Sequence, residues 1–90
     1  MTEIESVPEI ETIKKLVDQR DLVVFNDDIN TFDHVINSLI TICKHKIEQA
    51  EQCTFIIHYK GKCQVKRGEF EELKFMCTAL LERGLSAEVQ

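Results

Sequence analysis

Asn26, Asp27 and Asp28 stand together directly after the apolar run Leu22-Val23-Val24-Phe25. Ionised carboxylates only accept hydrogen bonds, so two adjacent acids beside an amide make a rim suited to a cation. The same triplet suits a turn between a strand and a helix, and that structural role alone would justify it. Two neighbouring acids could also help bind magnesium. That ion normally takes further oxygen ligands or a phosphate, and the chain has no Gly-rich phosphate loop. His58 is a second feature, four residues after Thr54 and next to Ile57, so its polar tip lies beside an apolar patch on one helix. A neutral imidazole there could accept a hydrogen bond from a cationic ligand while the patch holds an apolar group. A partly buried, hydrogen-bonded structural histidine is the plain alternative. The third feature, Glu69, Glu71, Glu72 and Lys74, reads as a solvated helix face.

Cysteines 43, 53, 63 and 77 include no CxxC pair, and with His34, His45 and His58 they form no zinc-like spacing. Cys43, Cys53 and Cys77 fall in apolar helical stripes, where a thiol behaves as a small buried hydrophobe. Nucleophilic catalysis needs a cysteine or serine paired with an oriented base, and no such pair stands out. Neither a catalytic residue, a metal site nor a cofactor is expected.

Positioning these groups falls to a short chain. Ninety residues, 43% hydrophobic and 30% charged, suit one globular domain with a modest core. Eleven basic against sixteen acidic residues give a net charge of −5, which argues against nucleic acid or an anionic membrane as partner. No apolar run is long enough to span a bilayer. The acidic N-terminus carries no apolar signal core, so a cytoplasmic location is expected.

Residues 1–20 mix acids with scattered Ile and Val around Pro8 and read as a flexible extension, leaving residues 21–90 as the folded core. Leu22 to Phe25 reads as a buried strand. Phe32, Val35, Ile36, Leu39 and Cys43 then follow helical spacing, with Asn30 as N-cap and Lys44, His45 and Lys46 as favourable charge at the C-terminal end. Glu48 to Lys60 forms a second helix closed by Gly61; Phe55, Ile56 and Tyr59 make it apolar around most of its circumference, which predicts extensive burial. Cys63, Val65 and Arg67 alternate as a strand. Phe70, Leu73, Cys77, Leu80 and Leu81 mark a third helix stopped at Gly84, and residues 85–89 alternate as a last strand. The resulting fold class is α+β: a small three-stranded antiparallel sheet packed against three helices in the order β-α-α-β-α-β.

The stretch LVVFNDDINTFDHVINSLITIC, followed by EQAEQCTFIIHYKGKC, resembles the ClpS adaptors of bacterial ATP-dependent Clp proteases. The family's marker is a strand ending in Asn-Asp-Asp, a helix, and a second helix ending in a Val-His-Tyr-x-Gly-Lys pattern. Here these are Asn26-Asp27-Asp28 and Ile57-His58-Tyr59-Lys60-Gly61-Lys62. In its details the chain is similar to the short ClpS proteins of the Bacteroidetes group. The resemblance implies a monomeric adaptor that binds proteins with a free N-terminal Leu, Phe, Tyr or Trp, an N-degron. Such an adaptor delivers its cargo to a ClpA- or ClpC-type AAA+ unfoldase working with ClpP. By position, Asn26, Asp27 and His58 would hold the substrate's α-amino group, with Asp28 and Asn30 in support. Phe32, Val35, Thr54, Ile57 and Leu85 would line the side-chain pocket, Lys74 would contact the unfoldase, and the N-terminal extension would engage it during delivery. The family usually has methionine where this chain has Phe32, often another at Thr54, and Thr at Asn30. A larger Phe32 with a smaller Thr54 changes the pocket's shape, and rejection of β-branched Ile and Val is expected to persist.

Two other classes compete. A ribosome-associated or scaffold module is the main alternative, because the ribosomal stalk protein's C-terminal domain has a similar fold, and it would not need Asp27 and His58 together. A small metal-dependent hydrolase using Asp27, Asp28 and His58 is the other.

Overall fold

The computed structural model describes residues 18–90. Its elements are β1 (Gln19–Phe25), α1 (Phe32–Cys43), α2 (Ile47–Lys60), β2 (Lys62–Glu69), α3 (Phe70–Glu82) and β3 (Ser86–Val89). They form the expected β-α-α-β-α-β order and α+β class. Strand β1 lies in the middle of a three-stranded sheet and pairs antiparallel with β2 on one side and β3 on the other. Leu22 and Val24 of β1 meet Leu39 and Cys43 of α1, Ala50, Cys53 and Ile57 of α2, Val65 of β2 and Leu73 and Leu80 of α3 in one core. The extension expected over residues 1–20 lies outside the described residues as far as residue 17. Among the described residues no helix is long and apolar enough to cross a membrane.

Strand β1 starts at Gln19, three residues before the apolar run, because polar partners carry its first half. Gln19, Arg20 and Asp21 pair with Glu69, Gly68 and Arg67. Arg67 also reaches back, donating from Nη1 to Asp21 Oδ1 (2.9 Å) and from Nε to Gln19 Oε1 (3.2 Å).

Three local expectations are corrected. Asn30 does not cap α1; Thr31 does, its hydroxyl accepting from His34 N at 3.1 Å, because the Asn30 side chain is engaged elsewhere. Of the residues expected to charge the end of α1, Lys44 stands at that end, closing the helix in the left-handed conformation (φ 62°) with its N–H bonded to Leu39 O, but His45 turns inward and is buried. Helix α2 buries only one stripe, Ala50, Cys53, Thr54 and Ile57, while Phe55, Ile56 and Tyr59 are 50, 43 and 74% exposed. Its remaining circumference faces outward because the sheet and α1 cover a single side.

All four cysteines are free; Cys43 and Cys53 are buried and Cys63 and Cys77 half-buried. Burial drives the Cys43 thiol up to about 11 and the Cys53 thiol up to about 12, with neighbouring Cys63 adding to the latter, so both stay protonated and inert.

Candidate binding site

Two backbone features bring the separate motifs together. Gly61 caps α2 at φ 94°, a conformation that favours glycine, and its N–H bonds to Ile57 O. The Gly61 carbonyl then accepts from Asn26 N at 2.9 Å, tying the end of β1 to the end of α2. This bond continues the β1–β2 ladder past the Phe25–Lys62 pair and sets the Asn-Asp-Asp triplet beside the last turn of α2, which carries His58.

Asp27 organises the turn that follows. Its Oδ1 accepts from the backbone N–H of Ile29 (2.9 Å) and Asn30 (2.8 Å), and its Oδ2 from Asn30 Nδ2 (2.7 Å). The Asn30 backbone bond does most to hold the Asp27 carboxyl below the usual carboxylate value. Slight desolvation opposes it, and the other two bonds and nearby His34 reinforce it. Asp27 is therefore a charged acceptor at neutral pH, and a carboxylate with about four lone-pair sites has one left for a further donor.

Asn30 also donates from Nδ2 to Gly84 O at 2.9 Å, across 54 residues of sequence. The loop after α3 is held at a second point, where His34 Nε2 donates to Arg83 O (2.7 Å). At a third, Arg83 Nε donates to Ser38 Oγ (2.8 Å), itself a donor to His34 O. Gly84 makes the turn at φ 88°, and the next residue, Leu85, is delivered inward at 4% exposure.

The result is a cavity of about 280 Å³ between the end of β1, the start of α1, the last turns of α2 and Leu85. Its interior is formed by Val35, Thr54, Ile57 and Leu85, with Thr54 Oγ1 turned away to donate to Ala50 O at 2.7 Å. Its polar rim carries Asn26, Asp27, Asp28, Asn30 and His58, and Phe32 stands at the mouth, 37% exposed. The Phe32 ring packs edge-on against His58, with centroids 5.1 Å apart. Every residue expected to contact the substrate thus lines one cavity. Lys74 does not; it lies on the outer face of α3. Val24, Phe25 and Thr31 also line the cavity and were missed from sequence: the first two read as buried strand, and Thr31 was passed over in favour of Asn30 as the cap.

At 280 Å³ the cavity falls just under the range of roughly 300–1,000 Å³ typical of small-molecule pockets. It has the size for one large side chain, with hydrogen-bond acceptors gathered at its edge. Among the described residues no cluster of three or more His, Cys, Asp or Glu is placed to hold a metal ion.

The family model of the ATP-dependent Clp protease adaptor protein ClpS matches residues 15–88, from ahead of β1 into β3. The chain belongs to the ClpS family. ClpS proteins are adaptors, so the protein is an adaptor of the Clp protease system and not an enzyme. No curated protein sequence matches it individually. Among solved structures, Agrobacterium tumefaciens ClpS2 bound to L-phenylalaninamide is similar, with a TM-score of 0.71. The match covers 81% of this chain and 95% of that one. At 16% identity it establishes a shared fold, the ClpS fold, built here from a largely different set of side chains.

Proposed function

We propose that this ClpS-family adaptor binds proteins that begin with a free, bulky hydrophobic residue (Leu, Phe, Tyr or Trp) and delivers them to a ClpA- or ClpC-type AAA+ unfoldase with ClpP. It does so as a monomer in the cytoplasm. The observation that carries this reading is the junction of an apolar cavity with a rim of acceptors, Asp27 foremost, at its mouth. An α-ammonium has three donors and meets Asp27, the Asn26 amide oxygen and His58 as acceptors; Asn30 holds Asp27 in place and Asp28 adds negative charge beside it. An internal residue has no such cation, so the site distinguishes chain ends.

Magnitudes agree. Burying a Leu or Phe side chain contributes roughly 1.5–3 kcal/mol. Charge-assisted hydrogen bonds contribute roughly 1.5–3 kcal/mol each before ordering costs. A total near −8 kcal/mol corresponds to about micromolar affinity, which suits an adaptor that must release its cargo.

Fluorescence anisotropy with peptides identical except for their first residue, Leu, Phe, Ile or N-acetyl-Leu, tests the reading. Leu and Phe should bind, acetylation should abolish binding, and Ile should be rejected at Phe32. Equal binding of free and acetylated Leu would eliminate this site and favour the scaffold module.

A further inference from the structure

Phe32 and His58, at the mouth of the cavity, are two members of a closed set of four aromatic rings. Phe32 meets Phe55 edge-on with centroids 5.4 Å apart, and Phe55 stacks on Tyr59 at 6.1 Å with planes 7° apart. Tyr59 meets His58 edge-on at 5.0 Å, and His58 meets Phe32 at 5.1 Å. Each ring therefore touches two others. Phe55 and Tyr59 form the outer pair, are half or more exposed, and do not line the cavity. Their positions four residues apart on α2 put them on one outward face beside His58.

Nothing in the fold requires this face. The core closes without it, and an exposed aromatic surface beside a cavity mouth is suited to contact with a ligand. The rings already brace one another, so contact with a ligand would cost little side-chain ordering. Resting on the proposed function, the first side chain of a bound substrate fills the cavity and its ammonium sits at the rim. The next Cα is only about 3.8 Å farther along. A chain leaving a mouth bordered by Phe32 and His58 therefore brings its second side chain within reach of the ring set. We propose that Phe55 and Tyr59, with the outer edge of Phe32, form a subsite for the second residue of the substrate, one that favours a large apolar or aromatic side chain there.

The test compares peptides beginning Leu-Phe, Leu-Gly and N-acetyl-Leu-Phe, otherwise identical, by anisotropy with the wild-type chain, Phe55→Ala, Tyr59→Ala and Tyr59→Phe. In the wild type Leu-Phe should bind about three- to tenfold more tightly than Leu-Gly, the range of a good aromatic contact. That ratio should fall toward one in Phe55→Ala and Tyr59→Ala and persist in Tyr59→Phe. Both positions are exposed, so folding is not at risk. Acetylation-sensitive binding with equal affinity for Leu-Phe and Leu-Gly, or a ratio unchanged in both alanine variants, overturns the subsite alone. Binding that ignores acetylation overturns the N-terminal site and the subsite with it.

Discussion

At the scale of single residues, the two groups proposed to meet the ammonium accept in different ways. Asp27 is held below the ordinary carboxylate value by hydrogen bonds that favour its charged form, so it keeps its charge well below neutral pH. His58 is exposed and rests against Phe32 and Tyr59, and it can accept from an ammonium only when neutral. A lost hydrogen bond to a charged group costs roughly 1.5–3 kcal/mol, so His58→Ala should weaken Leu-peptide binding by about tenfold or more. The check is peptide anisotropy with wild type and His58→Ala at pH 7; unchanged affinity would remove His58 from the ammonium site. Asp27 also acts on stability. Because the folded Asp27 carboxyl lies below its unfolded value, its stabilising effect is fully present above the unfolded value, near 3.8. It is lost as pH falls through the lower folded value. Urea unfolding of Asp27→Asn should accordingly show a deficit against wild type at pH 7 that shrinks below pH 4.

Elements are joined by polar contacts that hydrophobic periodicity does not report. The register of β1 on β2 slips between Leu22 and Val23, which pair with Lys66 and Gln64, so Val65 is an extra residue on β2. This bulge aims Val65 into the core at 3% exposure and leaves it without a ladder partner opposite. His45 Nε2 donates to the Val65 carbonyl at 2.6 Å from the turn between α1 and α2. His45 is thus the bulge's hydrogen-bond partner, though its place in Lys44-His45-Lys46 resembled a charged helix end. His45→Phe leaves a carbonyl without its donor and should cost about 1–3 kcal/mol in chemical denaturation, with far-UV circular dichroism unchanged. The same reasoning explains what was legible in the sequence. Strand and helix spans followed from apolar spacing, and the cavity residues from two motifs that the β1–β2 ladder and its Asn26–Gly61 extension bring together. Asn30 was placed in the site by resemblance but misread as a cap. Its partner, Gly84 O, lies 54 residues away, and no local pattern encodes that distance. The exposure of Phe55 and Tyr59 was hidden for a related reason: composition shows how apolar a helix is, while the number of faces its neighbours cover is a property of the assembled sheet and helices.

For the molecule as a whole, an adaptor must hold cargo and dock on a machine at once, which requires two surfaces that do not overlap. Leu73 and Leu80 anchor α3 in the core, and its opposite face carries Lys74 and the 78%-exposed Phe75. Together with Glu71, Thr78, Ala79 and Glu82 these line a shallow groove of about 480 Å³ that shares no residue with the peptide cavity. Lys74 is the position that the family resemblance associates with the unfoldase. A single cation flanked by Glu71 and Glu82 supplies orientation more than affinity, because like-charge placement against a partner is costly and exposed pairs contribute little. Reversing it should therefore act on delivery alone. Lys74→Glu is expected to slow degradation of a Leu-initiated reporter by a ClpA- or ClpC-type unfoldase with ClpP on the order of tenfold. Its affinity for the Leu peptide should stay within about twofold of wild type, because Lys74 lies outside the cavity. Parallel loss of peptide binding would mean that the two surfaces are coupled through α3 and the Leu85 loop. Unchanged degradation would move the docking surface off this helix.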